Sequence, residues 1–578
     1  MKYKKYLLGL LLIVSGMTAC NKQLDSLLVN PNAPGLSTAD VDLYLNDIQI
    51  NFNSFYSQAS DFGGQLARQQ YWGSGGNLYA NNYSPASFDG LWTTAYAGIL
   101  NNAQAMIPLA QAQFKYTESG IARVLSAYTL GTLVDQFGDV PYSKAEQGAA
   151  NTTPSVDPGA SSYAVVQTLL DSAIADFNKS GATIPSSVDL FYSGSKAKWI
   201  ALANTLKLKY YLQVRLVDNT VAAKIQALVT ANNLITTPAQ DFVFQYSKTL
   251  SPDSRHPHYA ADYVNSGGVG EYLSNYFIWK VAAEKYGGAV NLPTTAAAPT
   301  TGDPRLRYYF YRQQTNYANA NQQSLPCFTN YSSAIYPAWY PAVPAATPFC
   351  VVGKGYWGRD HGDNSGAPPD GAYRTAWGVY PAGGEFDYSQ AKAVSLGLGS
   401  GGNGISPIWL SSFTAFLEAE AALVLGTTGA GTPAALLTSG VTQSINKVVG
   451  FPAAIGYVNT SIPANALASA TQITNYITLV NGLYTAATTT SAQLDVIESE
   501  YAIALWGNGV EAYNNLRRTG SPQNVQLAVT TPAPGIFMRS FFYPSVFVNR
   551  NSNAPAQKTP GTAANKVFWD NNPDNFIK

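Results

Sequence analysis

The sequence predicts a mainly α-helical protein, because apolar residues recur three and four positions apart in several segments. Four such apolar helix faces are Ile121, Val124, Leu125 and Tyr128; Trp199, Leu202, Ala203, Leu206 and Tyr210; Trp409, Phe413, Phe416, Leu417, Leu423 and Val424; and Leu494, Ile497, Tyr501 and Leu505. The faces recur in neighbouring pairs, and stacked helix pairs are the unit of tetratricopeptide-like solenoids. We therefore predict tetratricopeptide-like helix pairs that carry a long, irregular, loop-rich binding region.

The first twenty residues have the layout of a secretory signal peptide. Lys2, Lys4 and Lys5 form a positive start, residues 6–16 are apolar, and small residues precede Cys20. A signal that stops at cysteine resembles a bacterial lipoprotein signal. That resemblance implies cleavage before Cys20, lipidation of this residue, and stable anchoring through several acyl chains. The alternative is an ordinary secreted protein with an incidental cysteine.

Composition limits the classes of partner. Hydrophobic residues make up 46% of the chain and charged residues only 12%, with a formal net charge of zero. There is no basic patch large enough to indicate a nucleic-acid partner. Tyrosine is abundant, with 38 residues. Aromatic faces beside amide and hydroxyl groups suit neutral, hydroxyl-rich ligands such as sugars, although the same tyrosines can simply fill a helical core.

The chain divides into a leader, a tether and one domain. Residues 1–19 are the predicted signal, residues 20–36 read as an extended tether, and residues 37–578 read as a single domain without an internal linker. Between about 235 and 405, Gly, Pro, Asn and Tyr crowd together and helical patterns become rare. Long loops in compact domains are usually functional, so this insertion is the predicted binding region.

Two cysteines remain after Cys20. Cys327 and Cys350 form an even pair in an oxidising compartment, so a disulfide between them is plausible. Two separate buried thiols are the alternative.

A nucleotide site is not supported by the glycine-rich segment 397–402. It matches G-x-G-x-x-G, with Glu418 and Glu420 about twenty residues on, but no buried strand precedes it and no alternating strand–helix pattern surrounds it. We expect a flexible loop that leads into a helix. Glu420 shares a helix face with Phe413 and Phe416, which predicts a buried, hydrogen-bonded carboxylate rather than an acid–base pair with Glu418.

The sequence offers few residues that could bind a metal or act as a catalytic nucleophile. His256 and His258 have a spacing that two metal ligands can use, but no third ligand is visible nearby. The segment Asp360–Asp363, which includes His361, reads as a hydrogen-bonded loop more readily than as a calcium site. We expect no cofactor and no metal. An envelope hydrolase that uses acids from separate loops, such as Asp360 and Asp387, is a minor alternative.

Short sequence segments along nearly the whole chain, in the same order as in the family, resemble the SusD/RagB family of nutrient-binding outer-membrane lipoproteins. The segment 133–142, LVDQFGDVPY, is similar to that family's YGDVPY segment. Further similar segments follow in the family's order: Phe88–Trp92 with Tyr96 and Asn101, residues 198–209 (KWIALANTLKLK), 303–306 (DPRL), 416–421 (FLEAEA), 506–509 (WGNG), 517–520 (RRTG), and Tyr543-Pro544 with Asn549.

The resemblance implies a non-enzymatic nutrient-binding protein. It implies a right-handed superhelical scaffold of tetratricopeptide-like helix pairs, a lipid anchor in the outer membrane facing the cell exterior, and a TonB-dependent SusC-like transporter as partner. The expected ligand is an oligosaccharide, with a peptide as the alternative. A transporter lid or scaffold with little ligand affinity of its own is a further alternative. It also implies that residues 139–142 end a helix and that Asn204 and Glu420 hydrogen-bond between helices.

The predicted ligand-binding residues come from aromatic, loop-like segments, since binding residues in this family vary with the ligand. They are Trp72, Tyr79, Trp339, Tyr340, Trp357, Arg359 and Asp360. Trp and Tyr would stack on the apolar faces of sugars, while Arg and Asp would hydrogen-bond hydroxyl groups. The alternative for each of them is a packing role in the core.

Overall fold

The computed structural model describes residues 40–71, 83–264, 268–288, 290, 292, 298–315, 351–352, 354–362, 371–528, 537–559, 565–574 and 576–577. Several predicted residues lie outside these ranges: Cys20, Trp72, Tyr79, Cys327, Trp339, Tyr340 and Cys350. Within the ranges, no helix is both long enough and apolar enough to cross a membrane.

The N-terminal half is a series of helices packed on their neighbours. They are α1 (Val41–Leu66), α2 (Asp89–Thr93), α3 (Asn101–Ala112), α4 (Tyr116–Phe137), α5 (Gly159–Phe177), α6 (Lys196–Gln213) and α7 (Val221–Ala231). The π-helical turn Thr94–Leu100 joins α2 to α3. Helix α4 packs on α5, α5 on α6, and α6 on α7. This succession confirms the predicted helix pairs.

Helix α4 is the most enclosed element of this half, with nearly all of its residues buried. Gly131 is required where α4 meets α6, because a Cβ atom there would lie 2.2 Å from the Tyr210 hydroxyl. The helix ends at Phe137, and Gly138 follows with a φ of +77°. Val140 then pairs with Asp157 in an isolated bridge. The predicted helix-ending turn at residues 139–142 is therefore confirmed.

The insertion contains only short elements in its described part, as its composition indicates. The helices are α8 (Pro257–Tyr263), α9 (Asn275–Ala282) and α10 (Leu306–Tyr309). The strands are β1 (Phe242–Gln245), β2 (Phe310–Tyr311), β3 (Val351–Val352), β4 (Tyr356–Trp357), β5 (Ala376–Trp377) and β6 (Ile405–Trp409). They form three antiparallel pairs: β1 with β6, β2 with β5, and β3 with β4.

The C-terminal half returns to helices. They are α11 (Ser411–Leu425), α12 (Pro433–Ala454), α13 (Ala470–Ala486), α14 (Thr490–Ala504), α15 (Gly509–Thr519) and α16 (Ser545–Val548). Helix α11 packs on α12 and α14, and α15 packs on α1. At that last contact, a Cβ on Gly63 would lie 2.2 Å from the Gly509 carbonyl oxygen. The two ends of the chain therefore share one core.

Two details of the predicted helix around Trp409 are wrong. Trp409 lies in strand β6, because Leu410 is extended with φ −108° and ψ 155° and the helix begins only at Ser411. The glycine-rich segment 397–402 accordingly leads into a strand, not directly into a helix. Gly399 has a φ of +74°, and its missing Cβ would lie 2.3 Å from the backbone of Gly384. The glycines thus serve a tightly packed turn.

A buried carboxylate, Asp135, joins helix α4 to four other segments of the chain, and we call this contact the Asp135 junction. It is 0% exposed and accepts hydrogen bonds from Tyr163 of α5, Lys209 of α6 (3.1 Å), Asn514 of α15 (2.8 Å) and Trp569 (3.2 Å). An ionised carboxylate in a protein interior needs such partners, because leaving it unpaired costs several kcal/mol. The junction therefore fixes α4 against helices from both halves of the chain.

Glu420 makes a second junction and confirms the predicted buried, hydrogen-bonded carboxylate. It accepts from Arg215 (2.8 Å) and from Arg518 (2.6 Å), and it is fully buried. Burial opposes its ionisation, but the two arginines outweigh burial and lower the pKa of Glu420. The interhelical role predicted for Asn204 is wrong. Its side chain donates to the Asn233 carbonyl (3.2 Å), which lies in the segment after α7, at an exposed position.

We predict that Asp135→Asn lowers the free energy of unfolding by about 3–5 kcal/mol, the range for breaking a buried ion pair. The asparagine amide keeps the volume of the carboxylate but removes the negative charge that pairs with Lys209. Lys209 then keeps Glu511, at 3.2 Å, as its carboxylate partner. Urea denaturation followed by circular dichroism measures the change.

The matched control is Asp171→Asn, which removes the partner of Lys207. Asp171 has a side chain 60% exposed. Exposed ion pairs contribute about 0–1 kcal/mol, so the control should stay in that range. Equal losses in the two variants would contradict the role assigned to the Asp135 junction.

Candidate functional site

Four side chains from separate parts of the chain meet in the loop-rich region. We call Tyr71, Tyr272, Arg359 and Arg374 the Tyr–Arg cluster. The two tyrosine rings meet edge to face, with their centroids 5.4 Å apart. The guanidinium carbon of Arg359 lies 4.9 Å from the Tyr272 centroid and 5.8 Å from that of Tyr71. The Arg374 guanidinium lies closer still to Tyr272, at 3.7 Å.

Backbone pairing brings these segments together. The Tyr71 amide, five residues after α1, donates to the Tyr272 carbonyl at 3.1 Å. The Arg359 amide donates to the Leu273 carbonyl, and the Asn275 amide donates to the Arg359 carbonyl, both at 2.9 Å. Three extended segments are therefore joined side by side, immediately before helix α9 begins. This pairing positions Tyr71, Tyr272 and Arg359 through their backbone atoms.

The Tyr–Arg cluster is partly open to solvent. Tyr71, Tyr272 and Arg374 are partly exposed, whereas Arg359 is 3% exposed. Arg374 also donates to the carbonyls of Val269 (3.1 Å) and Gly270 (3.2 Å), which fixes its guanidinium. Stacked cations and rings stabilise one another by about 0.5–1 kcal/mol at exposed sites. The result is a preorganised, partly exposed surface of aromatic rings and N–H donors.

Three of the predicted ligand residues are described and all three are buried: Arg359 belongs to the cluster, and Trp357 and Asp360 are close to it in sequence. Trp357 is 2% exposed, its ring centroid lies 5.8 Å from that of Tyr373, and its backbone amide donates to the Thr375 hydroxyl oxygen at 2.7 Å. Its ring is therefore inaccessible to a ligand in this conformation. Asp360 is 3% exposed and accepts from the Gln526 side chain at 2.8 Å. The ligand-binding role of the predicted residues stays a prediction.

Tyr71 and Tyr272 were not among the residues that the sequence singled out. Trp72 was, and it directly follows Tyr71 in the chain. The remaining predicted residues, Tyr79, Trp339 and Tyr340, lie outside the described ranges.

His258 connects the cluster segment to helix α1. Its Nδ1 lies 2.8 Å from a Glu271 carboxylate oxygen, and its Nε2 lies 3.3 Å from Asp61 of α1. The ring stacks on Trp377 at 3.9 Å with an interplanar angle of 5°. Glu271 directly precedes Tyr272. We call these residues the His258 clamp, because they hold the segment that carries Tyr272 against the scaffold.

The charges of the clamp are set by its carboxylates. Burial alone would lower the pKa of His258, but Glu271 and Asp61 outweigh it and raise that pKa well above its usual value. Burial, reinforced by Glu271, raises the pKa of the neighbouring Asp262 well above its usual value. His256 shows the opposite effect, because burial and then the charge of His258 lower its pKa. The pKa values of the two histidines are therefore shifted in opposite directions.

The carboxylates considered for catalysis have structural partners. Asp387 is fully buried, and its two oxygens accept from Arg312 at 2.5 and 3.0 Å. His361 is fully buried, and burial lowers its pKa well below the usual value. In the described ranges, no three His, Cys, Asp or Glu side chains are grouped as a metal site would require. Asp363, the other residue of the suggested calcium segment, lies outside them.

Two family models match the chain. Residues 32–279 match the family described as starch-binding and associating with the outer membrane. Residues 403–569 match the family described as SusD and RagB outer membrane lipoprotein. The chain belongs to the SusD/RagB family. No curated protein matches it at a significant level.

Solved structures share the fold over nearly the whole chain. A chitin-binding SusD homologue from Flavobacterium johnsoniae has a TM-score of 0.59 at 18% identity, covering 92% of this chain and 99% of that chain. A SusD homologue from Bacteroides uniformis gives 0.59 at 19%, with coverage of 92% and 99%. One from Bacteroides fragilis gives 0.61 at 18%, with coverage of 92% and 99%. At these identities, the similarity confirms the predicted mainly helical fold.

We predict that the stabilising effect of His258 depends on pH. A histidine with a raised folded-state pKa stabilises fully below its unfolded pKa of about 6.5 and loses this contribution as pH rises through the folded value. His258→Gln should therefore lower the unfolding free energy most below about pH 6, and the difference should shrink as pH rises. Urea denaturation at several pH values measures it.

His361→Gln provides a control of opposite sign. Because the pKa of His361 is lowered, the wild-type protein loses stability as pH falls below about 6.5, and the effect of this substitution should be smallest there. A loss in His258→Gln that is constant over the whole pH range would contradict the protonated clamp.

Proposed function

We propose that this protein is a lipid-anchored glycan-binding protein that captures an oligosaccharide and passes it to a TonB-dependent SusC-like transporter. The observation that carries the proposal is the Tyr–Arg cluster, a partly exposed set of rings and guanidinium groups held by backbone pairing. Membership of a family described as an outer membrane lipoprotein supports it. The chitin-binding homologue of the same fold supports a glycan as the ligand class.

The chemistry of the cluster favours a neutral, hydroxyl-rich ligand. Tyrosine rings offer apolar faces and edges to the C–H surfaces of sugars, and their hydroxyl groups can donate and accept hydrogen bonds. Arg374 supplies further N–H donors at a partly exposed position. Open surfaces bury less of a ligand than deep pockets do, so we expect dissociation constants of about micromolar or weaker.

The proposed anchor and partner fit this role. Lipidation at Cys20 would hold the domain at the membrane, and residues 20–36 would give it reach. A protein so tethered raises the local concentration of ligand at its transporter without any covalent step. Display on the cell exterior is part of the proposal.

We predict that Tyr272→Ala and Arg374→Ala each weaken glycan binding by about tenfold or more, or 1.4 kcal/mol. Tyr272 contacts both arginines, so its truncation removes the ring on which both guanidinium groups are stacked. Calorimetric titration of the chain from residue 20, carrying Cys20→Ser, against a panel of chito-oligosaccharides, other oligosaccharides and peptides measures the effect.

Tyr211→Ala is the matched control, since Tyr211 also lies beneath a cation, Lys224 at 5.3 Å, but on the helical scaffold. Its affinity for the glycan should equal that of the wild type. Saturable binding that survives both cluster substitutions would contradict the site. Binding of peptides alone would show that the ligand is a peptide and not a glycan. No binding at all would favour a lid or scaffold role.

A further inference from the structure

A cavity of about 590 Å³ lies on the helical scaffold, between α7, α11 and α12. Helix α11 contributes Ser411, Ala415 and Glu418. These positions are four and three residues apart, so they form one face of the helix. The cavity is distinct from the Tyr–Arg cluster, with which it shares no residue.

The other two helices present polar side chains to the same space. Gln226 and Thr230 of α7 and Ser439 and Gln443 of α12 line it, each pair spaced four residues apart. Gln226 also closes the rim: its amide nitrogen donates to the Thr428 carbonyl at 2.8 Å, and its oxygen accepts from the Thr428 amide at 2.9 Å. The walls are therefore fixed, and they offer amide and hydroxyl groups.

Glu418 is the ionisable side chain that lines the cavity. It is 7% exposed, and within the described part of the chain its carboxyl group makes no hydrogen bond and no ion pair. Burial raises the pKa of Glu418 to about 7. Oε1 of Gln443, a buried acceptor with no hydrogen-bond partner among the described residues, belongs to the same lining. Buried polar groups are normally hydrogen-bonded, so this oxygen and the largely buried, unpaired Glu418 side chain make the cavity a candidate ligand site.

The charged groups on the surrounding elements are already paired or directed elsewhere. On α12, Lys447 binds Asp241 at 2.8 Å. On α11, Glu420 is held by its two arginines. On α7, Lys224 lies over the Tyr211 ring at 5.3 Å. None of these groups contributes to the raised pKa of Glu418, because burial causes that shift.

We propose that this cavity is a second ligand site, which takes a small hydroxyl-rich amine such as an amino sugar. Its volume is within the range of about 300–1,000 Å³ typical of small-molecule sites. The hydroxyl and amide lining matches the hydroxyl groups of the ligand, and the ammonium group pairs with the Glu418 carboxylate. This inference does not rest on glycan binding at the Tyr–Arg cluster.

The test is calorimetric titration of the chain from residue 20, carrying Cys20→Ser, with D-glucosamine and with N-acetyl-D-glucosamine. Acetylation removes the positive charge and keeps the remaining ring hydroxyls. We expect glucosamine to bind at least about tenfold more tightly than its acetylated form at neutral pH. Its affinity should fall as the pH drops through about 7, because Glu418 becomes protonated there. Equal affinity for both sugars, or no binding of glucosamine, overturns the proposal.

Two variants localise the effect. Glu418→Gln keeps the volume and should weaken glucosamine binding at least about tenfold. Ala415→Leu fills the cavity while leaving Glu418 in place and should abolish binding. Glu146→Gln is the control, because burial also raises the pKa of Glu146 but this residue lines other cavities. Unchanged glucosamine binding in either cavity variant, with circular dichroism showing a folded chain, overturns the site.

Discussion

The buried charge of Asp135 has to be balanced by donors from several helices at once. Tyr163, Lys209, Asn514 and Trp569 come from positions 28 to 434 residues away, and each donates to the same carboxylate. If any one element moves, the carboxylate loses a hydrogen-bond partner. In a low-dielectric interior, that loss strongly destabilises the folded state. The requirement couples the two helical halves into one unit.

Buried ion pairs also hold the insertion against the helical scaffold. Arg305, in the DPRL segment, pairs with Asp303 at 2.7 Å and with Glu500 of α14 at 3.2 Å, and all three are buried. The segment similar to the family's DPRL thus has a physical role: it attaches the insertion to a helix of the C-terminal half. The His258 clamp adds a second attachment, to α1. Loops fixed at several points can present side chains in constant positions, which is what a binding surface needs.

The helical scaffold could be predicted from sequence because its signal is local. The apolar spacing around Tyr128 and Leu206 depends only on nearby residues, and both segments are helical as predicted. Glu420 was predictable for the same reason, since its helix face was apolar. The Asp135 junction and the His258 clamp were not, because their partners lie far away in the chain and no local pattern marks them.

The candidate site was harder to predict because composition does not report burial. Trp357 and Tyr272 both lie in aromatic, glycine-containing segments, yet the first is buried and the second is partly exposed. What separates them is tertiary packing: Trp357 lies in the short β3–β4 pair, whereas Tyr272 precedes helix α9. The sequence therefore indicated the segment around Arg359, where the proposed site lies, but did not identify which of its aromatic residues are partly exposed.

A crystal structure of the protein with a bound oligosaccharide would test the proposed site most directly. We predict sugar density in contact with Tyr71, Tyr272 and Arg374, with the Asp135 junction unchanged from the unbound protein. Density bound only to the helical scaffold, with the Tyr–Arg cluster empty, would contradict it.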